Sequence, residues 1–554
     1  MAEEDLIFGK NRHFFGGIEP SNMRKFTANA YSGKVRLECQ LPLETTINGQ
    51  ILCSVAGAII RKKTTGYPKD EFDGELVADI KTSGYIIDQN SSINNTYYYS
   101  AFPYTGQGVY NRSPNNRALF NQMTDGYLYG YDLNLEDSNP NTRVSYPPDV
   151  MNYNYTPAYM NYSTGVFNYG SWPSTHGDTS FMPRPCMLKF DGTVLHYLNP
   201  NDYTKQYNST SSSSVATLSS NANAMMEWPK IYIHRELVNN VYKFRCSNIK
   251  YDSDWDCWCN YDVNNRVIDH FYTGIYPGIM KIDGYADQLR SISGVAIQSA
   301  RVQGPDGIGT YYYDYYMKCA YNNNSGSNGN IWDVEVLSDR MLIQDLLVMM
   351  AHTTDCKTAY GKGSVMEGIE RNGTMNTKGL FWGSNTTTNG VKIFGMENWW
   401  GNGYRLMNGL AAHCQSSNIS TMKFKITKGT HDGSTMSSYT GKNSSSYIPA
   451  YDYYKNLENV IFGSGYIDGM NFVSPYGRLY PNSFNGSSST YECDFAHTTL
   501  NYNYNDYKVA YVNGYGPFSI HFDSYRSRNG QDQEYADLRG DHTCASLSCK
   551  PIKS

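Results

Sequence analysis

NNTYYYSAFPYTGQGVYNRS, residues 94–113, reads as a strand crowded with rings that runs into a glycine turn. Tyrosine and phenylalanine suit the pleated, half-buried surface of a sheet. Gly106-Gln107-Gly108 then supplies the turn chemistry. On the N-terminal side, polar and apolar residues alternate in KVRLECQL (34–41) and ELVADI (75–80). Gly66-Tyr67-Pro68 and Asp73-Gly74 punctuate the interval between them. Residues 27–125 therefore predict a β-sandwich. Residues 1–26, with IFGKNRHFFGGIEPSNM (7–23), carry aromatics and glycines but no periodicity, and read as a short lead-in.

The texture changes at about residue 126 to long irregular polar stretches, with NSTSSSSVATLSS (208–220) as the low-complexity loop. SDRMLIQDLLVMMAH (338–352) is the clearest helix. Ser338 suits its N-cap, and Leu342, Leu346 and Met349 form an apolar stripe that Ile343 and Met350 widen. Such a stripe is a core face. Short strand-like segments, each cut by Gly or Asn, follow to the end. Residues 126–554 thus predict one large region, with a subdivision near 230–330. The fold class expected for the whole chain is α+β, mostly β. There is no heptad run, Gly-X-Y run or fixed-length repeat, which weighs against a long fibre shaft.

Tyrosine dominates the composition, with 51 of 554 residues against 21 Phe and 8 Trp. TYYYDYYMK (310–318) and NYNYNDY (501–507) embed it among Asn, Asp and other polar residues. Rings with a polar handle, surrounded by adaptable amides and hydroxyls, are the palette of recognition surfaces. Strand preference alone would account for any single tyrosine about as well. Mean hydropathy is −0.56 with 18% charged residues, which describes a folded, uncharged-polar protein. A net charge of −5 argues against a nucleic-acid partner. Apolar runs such as VAGAII (55–60) are too short to span a bilayer, so no membrane insertion is expected. The opening MAEEDLIF places acids where an export signal needs bases, so synthesis and folding in a cytoplasm are expected. The twelve cysteines form no Cys-x-x-Cys pair and read as buried free thiols, with Cys544 and Cys549 the exception most suited to a disulfide.

Catalytic signatures are missing: no Gly-x-Ser-x-Gly, His-Glu-x-x-His or phosphate-binding loop occurs. Gly361-Lys362-Gly363-Ser364 lacks the required preceding spacing. Asp252, Asp254 and Asp256 imitate the start of a calcium loop that then fails at Cys257 and Val263, leaving a solvated acidic turn. His413-Cys414 has no paired acid or base and reads as packing. Glu492 and Asp494 would share one face of an extended segment, compatible with a sugar-cleaving carboxylate pair but more in keeping with an exposed strand. Two aromatic clusters are better ligand candidates. One comprises Trp382, Trp399, Trp400 and Tyr404, with core packing as the competing reading. The other, preferred, spans 501–535 and includes Tyr502, Tyr504, Tyr507, Tyr515, Asp523, Tyr525 and Arg526. Tyr502 and Tyr504 share a parity that Tyr507 leaves. No catalytic residue, metal site or cofactor is expected.

Four segments carry a family resemblance: IFGKNRHFFGGIEPSNM (7–23), TRVSYPPDVMNYNYTPAYMNYSTGVFNYGSW (142–172), TMNTKGLFWGSN…VKIFGMENWWGN (374–402) and YGRLYPNSFNGSSSTYECDF…GPFSIHFDS…CASLSCK (476–550). They resemble tail structural proteins of phages and prophages of gut bacteria. The last two resemble C-type-lectin-like C-terminal domains, the scaffold of diversity-generating retroelement targets. The 94–113 stretch resembles a fibronectin type III strand pair, without that family's early tryptophan. The resemblance implies a virion tail or baseplate protein, attached through residues 1–26 and the sandwich. It would bind a host-surface glycan or protein, beside other tail proteins, as a homo-oligomer and typically a trimer. Cys544 stands where the family ending tends to have Gly, and the calcium-dependent sugar motif of true C-type lectins is absent. A tail-borne polysaccharide depolymerase and a purely structural baseplate or capsid-associated component are the alternatives.

Overall fold

The computed structural model describes residues 18–552 apart from 32–33, 48–49, 94, 121–125, 178–179, 280–287, 297–315, 317–318, 325–330, 365–370, 402, 414–422, 427–452, 457–462, 499–506, 513–515 and 525–542. The described chain is mostly β-sheet with few helices. It forms two compact units, Met1–Leu128 with Lys250–Asp254, and Tyr129–Ile249 with Trp255–Ser554.

In the first unit a three-stranded sheet runs Lys25–Tyr31, Lys34–Gln40, Gly84–Asp88. A four-stranded sheet runs Glu75–Ile80, Val55–Lys63, Tyr97–Thr105, Arg117–Phe120. The alternation in KVRLECQL is realised: Val35, Leu37 and Cys39 are buried, and the residues between them are half-buried. The tyrosine-rich strand is interior. Tyr97 and Tyr99 are buried, and the Tyr99 hydroxyl donates to Asp88 Oδ2 at 2.8 Å. Lys62 Nζ donates to both oxygens of the same carboxylate at 2.9 Å. A phenol at the centre of a sheet needs a polar partner, and this buried ion pair supplies it. The glycine turn closes as expected, Gly108 N–H donating to the Thr105 carbonyl at 2.9 Å.

The second unit contains three larger sheets. A four-stranded one runs Val144–Ser145, Tyr129–Asn134, Val241–Ser247, Tyr232–Val238. A seven-stranded one runs Asp202–Gln206, Val194–Asn199, Arg184–Lys189, Ala222–Pro229, His270–Gly274, Leu547–Cys549, Trp332–Val334. The third is six-stranded, in the order Tyr453–Asn456, Lys423–Ile426, Tyr404–His413, Tyr507–Val512, Ile520–Ser524, with Thr543–Ala545 parallel to the start of Tyr404–His413. A strand close to the end of the chain thus lies inside the seven-stranded sheet, 273 pairing with 548 and 333 with 548.

Helix α1, Leu337–Ala351, differs from expectation in two ways. It starts one residue earlier, with Val336 as a cap that makes no side-chain bond, so Ser338 is not the N-cap. It is also buried on every side rather than along one stripe. Its polar residues are partnered inside the protein. Asp339 receives Lys550 Nζ at 3.0 Å, and Arg340 donates to the Pro517 carbonyl at 2.5 Å. His352, in the left-handed conformation at φ 54°, ends the helix and packs its ring, tilted, against Tyr146 with centroids 4.2 Å apart. A short α2, Cys356–Tyr360, follows.

Every cysteine among the described residues is buried, and none of them forms a disulfide. Cys544 and Cys549 are therefore not bridged: Cys544 belongs to the six-stranded sheet and Cys549 to the seven-stranded one.

Candidate recognition surface

The preferred cluster falls largely outside the described residues: Tyr502, Tyr504, Tyr515, Tyr525 and Arg526 all do. Two of its members lie on described backbone. Tyr507 opens the strand Tyr507–Val512 and pairs with His413, and Asp523 pairs with Val509. The register brings several strand ends together. His413 pairs with both Tyr507 and Lys423, Lys423 pairs with Asn456, and Lys508 pairs with Ser524. All five strand ends lie at one end of one sheet, and there the chain continues into 414–422, 457–462, 499–506 and 525–542. Where the strand Tyr404–His413 begins, Arg405, Leu406 and Met407 are buried, which anchors the frame.

The tryptophan cluster separates into interior and surface. Trp399 and Trp400 are completely buried, so core packing is their role and the expectation of ligand contact is corrected. Trp400 Nε1 donates to the Gly361 carbonyl at 3.1 Å, and the Arg340 guanidinium lies 5.2 Å from the Trp399 ring centre. This also explains the glycines of 361–364. Gly363 has φ 74°, and a Cβ there would stand 2.7 Å from Trp400 Cδ1. The backbone there approaches an indole rather than a phosphate. Tyr404 starts a strand paired to Thr543.

Trp382 differs from its neighbours. Alternation along the extended segment puts Phe381 inside, stacked on Phe167 at 4.5 Å, and leaves Trp382 half-buried at the surface. A two-bond bridge fixes the backbone: Trp382 N–H donates to the Lys392 carbonyl at 3.0 Å, and Lys392 N–H returns a bond at 2.7 Å. The Lys392 side chain runs into the interior and donates to the Met375 carbonyl at 2.8 Å. Burial pushes its ammonium down to about 7, against the pull of Glu397. Outside, the Lys378 ammonium stands 5.0 Å from the Trp382 ring centre. The loop that follows carries a chain of hydroxyls, Ser384 Oγ to Thr386 Oγ1 at 3.0 Å and Thr386 Oγ1 to Thr388 Oγ1 at 2.9 Å. Asn389 Nδ2 donates to both threonines at 3.3 Å. Sequence reading named the ring but missed Lys378 and this loop; the hydroxyl-rich run directly after the tryptophan was the available signal.

The remaining candidates are engaged elsewhere. Glu492 and Asp494 are not on an exposed strand but buried in a turn and the segment after it. Glu492 pairs with Arg143 at 3.0 Å and Arg478 at 2.6 Å, which hold its carboxyl below the usual range against the opposing effect of burial. Asp494 accepts from Lys357 at 3.1 Å and from Phe518 N–H at 2.8 Å. Asp252 is not simply solvated: it pairs with Arg36 at 3.3 Å, while Asp256 accepts from the Tyr261 hydroxyl at 2.5 Å. Among the described residues no group of three or more His, Cys, Asp or Glu is arranged to hold a metal ion, and no helix is long and apolar enough to cross a membrane.

No family model matches this sequence, and no curated protein matches it.

Proposed function

We propose that this protein is a non-enzymatic adhesin of a phage tail, recognising a glycan or protein on the host surface. The N-terminal segment and a fibronectin-type sandwich attach it to the tail or baseplate, and a lectin-like second unit presents the recognition surface. The observation that carries this reading is the convergence of five strand ends, at His413, Lys423, Asn456, Tyr507 and Ser524, on one end of one sheet. The stretches continuing from them hold Tyr502, Tyr504, Tyr525 and Arg526 among Asn, Ser and Gln. Stretches of that composition joined to the strands of one sheet suit recognition, because the sheet bears the ordering cost while the side chains vary. Several copies on one particle would raise weak single-site affinity through effective concentration.

The polysaccharide-cleaving alternative loses its named acid pair, since Glu492 and Asp494 are committed to ion pairs. The test uses the full chain and host cells. Replacing Tyr502, Tyr504 and Tyr507 by alanine is expected to weaken adsorption at least about tenfold with the unfolding midpoint unchanged. Unchanged adsorption would overturn the proposed surface. Release of reducing ends from host polysaccharide would overturn the non-enzymatic reading.

A further inference from the structure

We infer that the surface around Trp382 binds an acidic saccharide, as a site separate from the sheet-end surface; this deepens, and rests on, the recognition reading above. Three features meet there. The first is a half-buried indole fixed by its backbone bridge, with a flat apolar face onto which the C–H face of a sugar ring can stack. The second is the hydroxyl chain Ser384–Thr386–Thr388 with Asn389. These groups already bond one another, so they are ordered before any ligand arrives; Thr386 Oγ1 is fully engaged, while the Ser384 and Thr388 hydroxyls retain capacity toward sugar hydroxyls.

The third feature is charge, and it selects among sugars. Between residues 371 and 396 the exposed charged side chains are Arg371 and Lys378, both cationic. Lys392 is the remaining charged residue of that stretch, and it is buried. The chain as a whole carries −5, so a stretch with cations and no acid runs against the overall balance. Lys378 is held over the ring by a cation–π contact, in water and without a carboxylate from this stretch. A saccharide bearing a carboxylate would take the ring face, move the ammonium to the rim and pair with it there. A neutral sugar would displace the same cation with no compensating partner. The site therefore discriminates for the anion.

The test is calorimetric titration of the full chain with polygalacturonate, hyaluronan and sialyllactose, each beside its methyl ester, which keeps the ring and removes the charge. At least one acid is expected to bind, with its ester about tenfold weaker and with affinity falling as salt rises. Trp382→Ala should abolish that binding, and Lys378→Gln should weaken it and flatten its salt dependence. Lys378 is exposed, so its variant serves should Trp382→Ala fail to fold. Equal binding of an acid and its ester, binding indifferent to both substitutions, or binding of none of the three acids would overturn the inference. Adsorption to host cells is scored in parallel. Cells still bound by a chain that binds no acid would sink this site alone, whereas no adsorption by the unaltered chain would sink the recognition reading itself.

Discussion

Arg235 donates from Nε to Asp345 Oδ2 at 2.8 Å, joining the strand Tyr232–Val238 to α1 through a pair sealed from solvent. The same carboxylate accepts the Tyr131 hydroxyl at 2.7 Å and the Tyr242 hydroxyl at 3.0 Å. Burial, and then the adjacent Asp345 charge, hold both phenols well above their ordinary value. One acid thereby satisfies three buried donors from three strands. Asp345→Ala would strand a buried guanidinium and two hydroxyls. It is expected to cost about 3–5 kcal/mol in urea unfolding, and Asp345→Asn clearly less because the amide oxygen still accepts.

Glu335 is the opposite case. Its carboxylate is buried, beside the Arg405 and Arg340 guanidiniums and the Trp399 indole. Burial raises its pKa from the ordinary 4.5, with Arg405 and Arg340 acting against it. The folded state therefore binds more protons than the unfolded one between 4.5 and the raised value. The stability this group contributes is whole below that window and is lost as pH rises through it. Glu335→Gln is expected to flatten this slope and to gain on the order of 1 kcal/mol at pH 7, read from denaturation midpoints across pH.

The tryptophans divide by environment. Trp399→Ala and Trp400→Ala each remove a fully buried indole and should cost about 3–5 kcal/mol in chemical denaturation. Trp382→Ala should cost clearly less than either, because its ring is only half-buried.

The thiols give a direct count. Eleven cysteines are buried and outside any disulfide, and Cys414 lies outside the described residues. Burial raises the pKa of Cys39, for example, to about 12, which suppresses the reactive thiolate. A disulfide-exchange chromophore should titrate at most one thiol in the native protein and all twelve after denaturation. Reducing agent should leave the unfolding midpoint unmoved.

Local pattern was legible where one physical signal dominated. Period-two alternation announced the strand Lys34–Gln40, and a long apolar stripe announced α1 within one residue. The turn at Gly108 followed from its composition. The candidate surface was legible only in part. Trp382, Trp399 and Trp400 look alike in sequence, and their separation into one surface ring and two interior ones depends on which face of each segment meets the core.

What the chain dictated unaided is its β-rich character, its glycine turns and its main helix, because each follows from periodicity and backbone preference over a few neighbouring residues. Tertiary structure alone decided that Glu492 and Asp345 are ion-pair hubs, that a strand near the chain end is central to a sheet, and that five strand ends meet. These outcomes rest on partners tens to hundreds of residues away, such as Arg143 for Glu492. Desolvation makes such pairings obligatory once the groups are buried, yet no local pattern specifies which residues will meet.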